Sequence, residues 1–210
     1  MFVKVCGIKS LEELEIVEKF ANATGVVVEC KSKRRVSIER AREIIENSKI
    51  PVFLVSTLES LEDWIRLIDL TNARFVQVHS DASPKVVEGL KDTGIFVMKA
   101  FKVPRSSENP EREAEKLAEI IERYDADLIL LDTGRGSGKT HDHRISRILA
   151  ERFRVVLAGG LNPNNVFEIV NFVKPYGVDV SSGVEKDGRK DERLISRFVE
   201  EVRRFDRVRG

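Results

Sequence analysis

One carboxylate, Asp132, ends the short apolar run LILLD and is followed at once by TGRGSGKT, a stretch with three glycines, a serine and a lysine. An apolar run of this length with turn residues behind it reads as a buried strand entering a loop. A carboxyl at such a strand end borders a dry interior, which raises its pKa and suits it to donate a proton. The glycines let backbone N–H groups turn toward an anion, and Lys139 adds a positive charge. A strand-capping aspartate beside a flexible turn is the simpler alternative. A nucleotide P-loop is not, because that motif needs a glycine five positions before Gly138, where Thr133 stands.

Cys6 is the natural complement to Asp132. It closes the run FVKVC, and a thiol can act as a base where nearby cations or helix termini favour the thiolate. By position alone a small buried hydrophobe is the favoured description of it, and Cys30 is read that way too. Two further stretches invite an anion: AGGLNP, with Gly159 and Gly160 leading into a helix, and SSGVE, with the hydroxyls and amides of Ser181 and Ser182. The basic run KSKRR, residues 31–35, offers a guanidinium to a carboxylate. His79 and Asp179 are second-tier candidates for proton transfer.

Something must bring these scattered residues together. Apolar, β-branched runs begin near Phe2, Thr24, Pro51, Arg74, Ile95, Asp127, Arg154 and Gly177. Amphipathic segments lie between and after them, at residues 11–20, 38–46, 61–70, 84–91, 110–124, 145–151, 163–173 and 194–205. Ser10, Ser37, Ser60 and Ser83 stand where helix N-caps belong, and Pro84, Pro110 and Pro163 where a first turn accepts proline. Gly94 and Gly177 are expected as helix stops. Strict alternation of strand and helix argues for a parallel sheet with helices outside. Eight such units in 210 residues predict an α/β fold, a single (β/α)8 TIM barrel spanning residues 1–210. In that fold the active site lies at the C-terminal ends of the strands, here Cys6, residues 29–35, His79, Lys99, Asp132, Gly159–Gly160 and Asp179 to Gly183. Phosphate is often held after strands seven and eight.

Composition narrows the function classes. Thirty-six basic against 35 acidic residues give +1, which offers no general pull toward nucleic acid or an anionic membrane. No apolar run approaches the roughly 18 residues of a membrane span, and the N-terminus lacks a signal-peptide pattern, so a cytoplasmic protein is expected. Two cysteines make neither a disulfide framework nor a metal cluster.

The blocks KVCGIKS, KSKRRVS, VQVHS, MKAF, LLDTGRGSGKTHD, LAGGLNPNNV and KPYGVDVSSGVE, collinear from Lys4 to about Glu185, resemble the phosphoribosylanthranilate isomerase family of tryptophan biosynthesis. The resemblance implies a (β/α)8 barrel with no cofactor and no metal, acting on a small phosphosugar by an Amadori rearrangement, as a monomer or homodimer. It implies Cys6 as general base, Asp132 as general acid, Arg34 on the anthranilate carboxylate, and Gly159, Gly160, Ser181 and Ser182 around the phosphate. The chain departs from the family where GVVVECKSKR replaces the common GFVFYPKSPR, which exchanges aromatic residues and a proline for valines and Cys30. HSD and THDH are further departures. The isomerase family of the histidine pathway runs the same chemistry, but with an aspartate at the first strand end, where Cys6 stands here. A catalytically silent phosphate-binding barrel would not need both Cys6 and Asp132.

Overall fold

The computed structural model describes residues 1–133 and 140–209. Eight parallel strands close into a barrel in sequence order: β1 (Phe2–Cys6), β2 (Ala23–Val27), β3 (Val52–Ser56), β4 (Phe75–Val78), β5 (Phe96–Lys102), β6 (Leu128–Asp132), β7 (Val155–Leu157) and β8 (Gly177–Val180). The outer ring is α1 (Leu11–Glu18), α2 (Ile38–Asn47), α3 (Leu61–Thr71), α4 (Pro84–Asp92), α5 (Pro110–Ile121), α6 (His143–Ala150), α7 (Val166–Val173) and α8 (Glu192–Arg209). β8 is followed by a 3-10 turn, Ser182–Val184, and by a small antiparallel hairpin of β9 (Glu185–Lys186) and β10 (Arg189–Lys190). Among the described residues no helix is long and apolar enough to cross a membrane.

Both faces of each strand are covered, so the strands read as nearly continuous apolar runs. Side chains still alternate, and the alternation separates two cores. Val3, Val5, Val26, Leu54, Val76, Val97 and Val178 point outward to helices, where Trp64 is fully buried and donates from Nε1 to the Leu58 carbonyl at 3.1 Å. Cys6, Ala23, Val27, Phe53, Val55, Met98, Ala100, Leu130 and Ala158 fill the barrel. At its N-terminal end Phe53, Phe75 and Phe96 pack as a plug, with ring centroids 5.5 to 6.1 Å apart. The bottom is therefore shut, and the chemistry is left to the opposite end.

The helix starts follow local chemistry. The hydroxyls of Ser10, Ser37 and Ser60 accept from the amides of Glu13, Arg40 and Asp63, whereas Ser83 makes no such bond and α4 starts on Pro84 instead. Two expectations fail here. Pro163 does not open α7: Asn162 and Asn165 tie the preceding amides into a turn, with Asn165 Oδ1 accepting from the Asn162 N–H at 2.8 Å, and the helix begins at Val166. Gly177 does not stop α7. Lys174 takes the left-handed C-cap at φ 57°, while Gly177 begins β8, where a Cβ would lie 2.7 Å from the Phe2 carbonyl oxygen.

Candidate active site

β1 carries Lys4 and Cys6 on the same inward face, two residues apart. Lys4 is fully buried and pairs with Asp179, inward-facing on β8, with Nζ at 3.1 Å from both carboxylate oxygens. The register brings Lys4 opposite Asp179 on one side and Cys6 opposite Gly25 on the other. Burial alone would lower the Lys4 ammonium, but the Asp179 carboxylate, joined by Cys6 once that is ionised, outweighs it and holds Lys4 above its usual value. Burial pushes the Asp179 carboxyl up, and Lys4 opposes that shift.

The Cys6 thiol is likewise pushed up by burial, with Asp179 adding to the effect while Lys4 and Lys190 pull the other way. The cations anticipated for a thiolate base are present, yet burial outweighs them. Burial thus favours the thiol over the thiolate at Cys6, which makes the thiolate, once formed, a stronger base than an ordinary one.

Asp132 ends β6. Its Oδ1 accepts from the Thr133 amide at 2.8 Å and its Oδ2 lies 3.4 Å from His79 Nε2. His79 Nδ1 is 3.3 Å from Gln77 Nε2. With Gln77 donating there, Nδ1 is the acceptor, so His79 carries its hydrogen on Nε2, facing Asp132. Gly159, at φ 88°, lies close under the carboxylate, and a Cβ on it would sit 2.8 Å from Asp132 Oδ1.

Arg34 rises from the loop after β2 and reaches over Gly7, at φ 81°, where a Cβ would run into Arg34 Cδ. It forms a two-pronged pair with Glu185, Nε to Oε1 at 2.6 Å and Nη2 to Oε2 at 2.9 Å. Lys190, buried in β10, joins the same carboxylate at 2.8 Å and donates to the Ser181 carbonyl at 3.2 Å. Burial would raise the Glu185 carboxyl, but hydrogen bonds from Arg34 and Lys190 hold it down at about 2. Ser181 Oγ donates to the Cys6 carbonyl at 2.9 Å. The loops after β7 and β8 meet where a Cβ on Gly183 would run into the Leu161 carbonyl, which brings the Gly159–Gly160 turn beside Ser181 and Ser182.

The fold thus gathers the candidates into one rim: Cys6 with Ser181, Arg34 over Gly7, and Asp132 with His79 and Gly159. Lys99 is not among them. β5 runs on to Lys102, so Lys99 faces outward, donating to the carbonyls of Ser80 and Ala100 with Nζ 4.6 Å from the Phe101 ring centroid. Burial lowers it to about 8. Cys30 packs on the rim of the interior but is only half-buried, less enclosed than the buried hydrophobe expected of it. Gly134, Gly138 and Lys139 lie outside the described residues. Among the described residues no cluster of three or more His, Cys, Asp or Glu could hold a metal.

Sequence reasoning missed Lys4, Gln77, Glu185 and Lys190. The first two carry a signal, a polar residue at the inward parity of an apolar strand. Glu185 and Lys190 lie off the barrel strands, but Asp187–Gly188 between them is a recognised hairpin turn pair, and both have positive φ, 52° and 74°.

Residues 3–201 match the family model described as N-(5'-phosphoribosyl)anthranilate (PRA) isomerase. An N-(5'-phosphoribosyl)anthranilate isomerase of Pyrococcus abyssi is 62% identical over 200 residues, 95% of this chain and 96% of that protein. The structure of the Pyrococcus furiosus N-(5'-phosphoribosyl)anthranilate isomerase superposes with TM-score 0.92 at 56% identity, covering 97% of this chain and 99% of that one. A phosphoribosyl anthranilate isomerase in complex with reduced 1-(o-carboxyphenylamino)-1-deoxyribulose 5-phosphate superposes with TM-score 0.81 at 34% identity, covering 97% and 98%.

Proposed function

The chain belongs to the N-(5'-phosphoribosyl)anthranilate isomerase family, and on that premise we propose how its own residues carry the reaction. The reaction is the Amadori rearrangement of N-(5-phosphoribosyl)anthranilate to 1-(2-carboxyphenylamino)-1-deoxyribulose 5-phosphate, an isomerisation in tryptophan biosynthesis.

Asp132, protonated, donates to the furanose ring oxygen, and the ring opens to a protonated Schiff base. The ionised Cys6 takes the proton from sugar C2, and the resulting enolamine tautomerises to the ketone. The cationic imine acidifies the C2 proton, so one thiolate suffices as base. His79, with its Nε2 hydrogen toward Asp132, steadies the carboxylate left after ring opening. Arg34 meets the anthranilate carboxylate. Glu185 occupies two of the five guanidinium N–H donors, which leaves three for the substrate. The turn at Gly159–Gly160 and the start of the 3-10 turn at Ser181–Ser182 supply amides to the phosphate. The whole chain works as one barrel domain on a small phosphosugar, and a cytoplasmic setting and a monomeric or homodimeric state belong to the same proposal.

The observation that supports this assignment most is the joint geometry of the two strand ends. Asp132 rests on the Gly159 turn and the Cys6 backbone carbonyl accepts from Ser181 Oγ, so acid, base and both anion loops share one rim. Loss of anthranilate fluorescence, with substrate generated in the cuvette, tests it. Folded Cys6→Ala and Asp132→Asn variants should each lose about 10² to 10⁴-fold in kcat. Turnover near wild type in either variant would remove that residue from its role.

A further inference from the structure

A lysine buried as fully as Lys4 is not explained by stability. Taking an ammonium and a carboxylate out of water costs several kcal/mol each, and apolar replacements of such pairs are often neutral or stabilising. Its location offers another account. A Cβ built on Gly25, the β2 residue beside Cys6, would lie 3.0 Å from Cys6 Sγ and 3.2 Å from Lys4 Nζ. Sulfur and ammonium therefore lie within about 6 Å of each other, inside the range over which a positive charge favours an ionised neighbour. The absent side chain of Gly25 is what lets them approach. Asp179 grips Nζ from the β8 side through both oxygens and keeps it in the barrel.

We propose that Lys4 is a positioning residue for the isomerase: an ammonium anchored by Asp179 that serves as counter-charge to the Cys6 thiolate when the thiol gives up its proton. Asp179 then acts through Lys4 and does not itself carry a substrate proton. The other charged or titratable groups that face Cys6 are Lys190 from β10, with Arg34 and Cys30 from the loop after β2. Lys190 already serves Glu185 and Ser181, and Arg34 serves Glu185, whereas Lys4 has Asp179 and Cys6 as its neighbours in the barrel. The proposal rests on Cys6 as the base, but its primary test does not.

In a Cys30→Ser background the remaining thiol is Cys6, and its ionisation is read from thiolate ultraviolet absorbance against pH. Adding Lys4→Met should move the midpoint up by about one pH unit or more, a tenfold loss of thiolate on the acid side. Because Lys4→Met leaves Asp179 buried and unpaired, Lys4→Met/Asp179→Leu removes both charges. It should shift the midpoint in the same direction by less, since Lys4 outweighs Asp179 at the sulfur. A midpoint at or below the parent's in either folded variant overturns the proposal. The acid limb of kcat/KM should move with the thiol. A thiol that shifts while the limb stays fixed leaves Lys4 as its counter-charge and sinks the assignment of Cys6 as base.

Discussion

Replacing Glu185 by glutamine probes the charged cluster that sets Arg34. Burial works against the Glu185 carboxylate, yet Arg34 and Lys190 bring its pKa from 4.5 to about 2. At about 1.4 kcal/mol per pKa unit, this corresponds to roughly 3 kcal/mol of folding stability at neutral pH. The carboxyl side chain is only 13% exposed, so solvent screening takes little from that figure. Because the folded-state value is the lower one, the stabilisation is complete above about 4.5 and is lost as pH falls toward 2. Glu185→Gln keeps the shape and one acceptor but removes the negative charge that Arg34 and the buried Lys190 share. Urea unfolding of wild type and variant across this range should give a gap of about 3 kcal/mol at neutral pH that closes as pH falls below 4.5. The other carboxylates titrate in both proteins, so the difference isolates this one. A gap that is absent at neutral pH, or unchanged down to the lowest pH, would refute the reasoning.

Two other substitutions separate binding from chemistry. Arg34→Met removes charge-assisted hydrogen bonds to the substrate carboxylate, and KM should rise about 10- to 100-fold with a smaller change in kcat. Steady-state kinetics that put the loss in kcat alone would take Arg34 off the carboxylate. Gly159→Ala places a Cβ at φ 88° against Asp132 Oδ1. It should destabilise by about 1–2 kcal/mol from the left-handed backbone and lower kcat about tenfold by moving the acid. A variant with wild-type kcat would show that the carboxylate does not need this support.

The barrel is readable in the sequence because each strand is buried on both faces and each helix is amphipathic, so the two periodicities alternate without ambiguity. Cys6 and Asp132 are readable as strand ends for the same reason. Lys99 misled because the visible apolar run stops short of Lys102. Three more residues of strand reverse which side chain enters the mouth, and Lys99 goes to the helix layer with Phe101 and Tyr124. Pro163 and Gly177 followed positional rules that tertiary context overrode, through the Asn162–Asn165 turn and the close approach of Phe2. The Glu185–Lys190 pair was hidden because a two-residue strand has no period to detect. Burial of the thiol depends on the surroundings of Cys6, several of which come from β8 and β10, far along the chain.

The division of labour between Asp132 and Cys6 is tested most directly with substrate carrying deuterium at sugar C2. Cys6→Ser weakens the base, so removal of that hydrogen should become the slow step and express a full primary isotope effect on kcat/KM. Asp132→Asn slows ring opening, which precedes C–H cleavage, so its isotope effect should collapse toward unity. The same effect in both variants, or the reverse pattern, would contradict the assignment of Asp132 as ring-opening acid and Cys6 as C2 base.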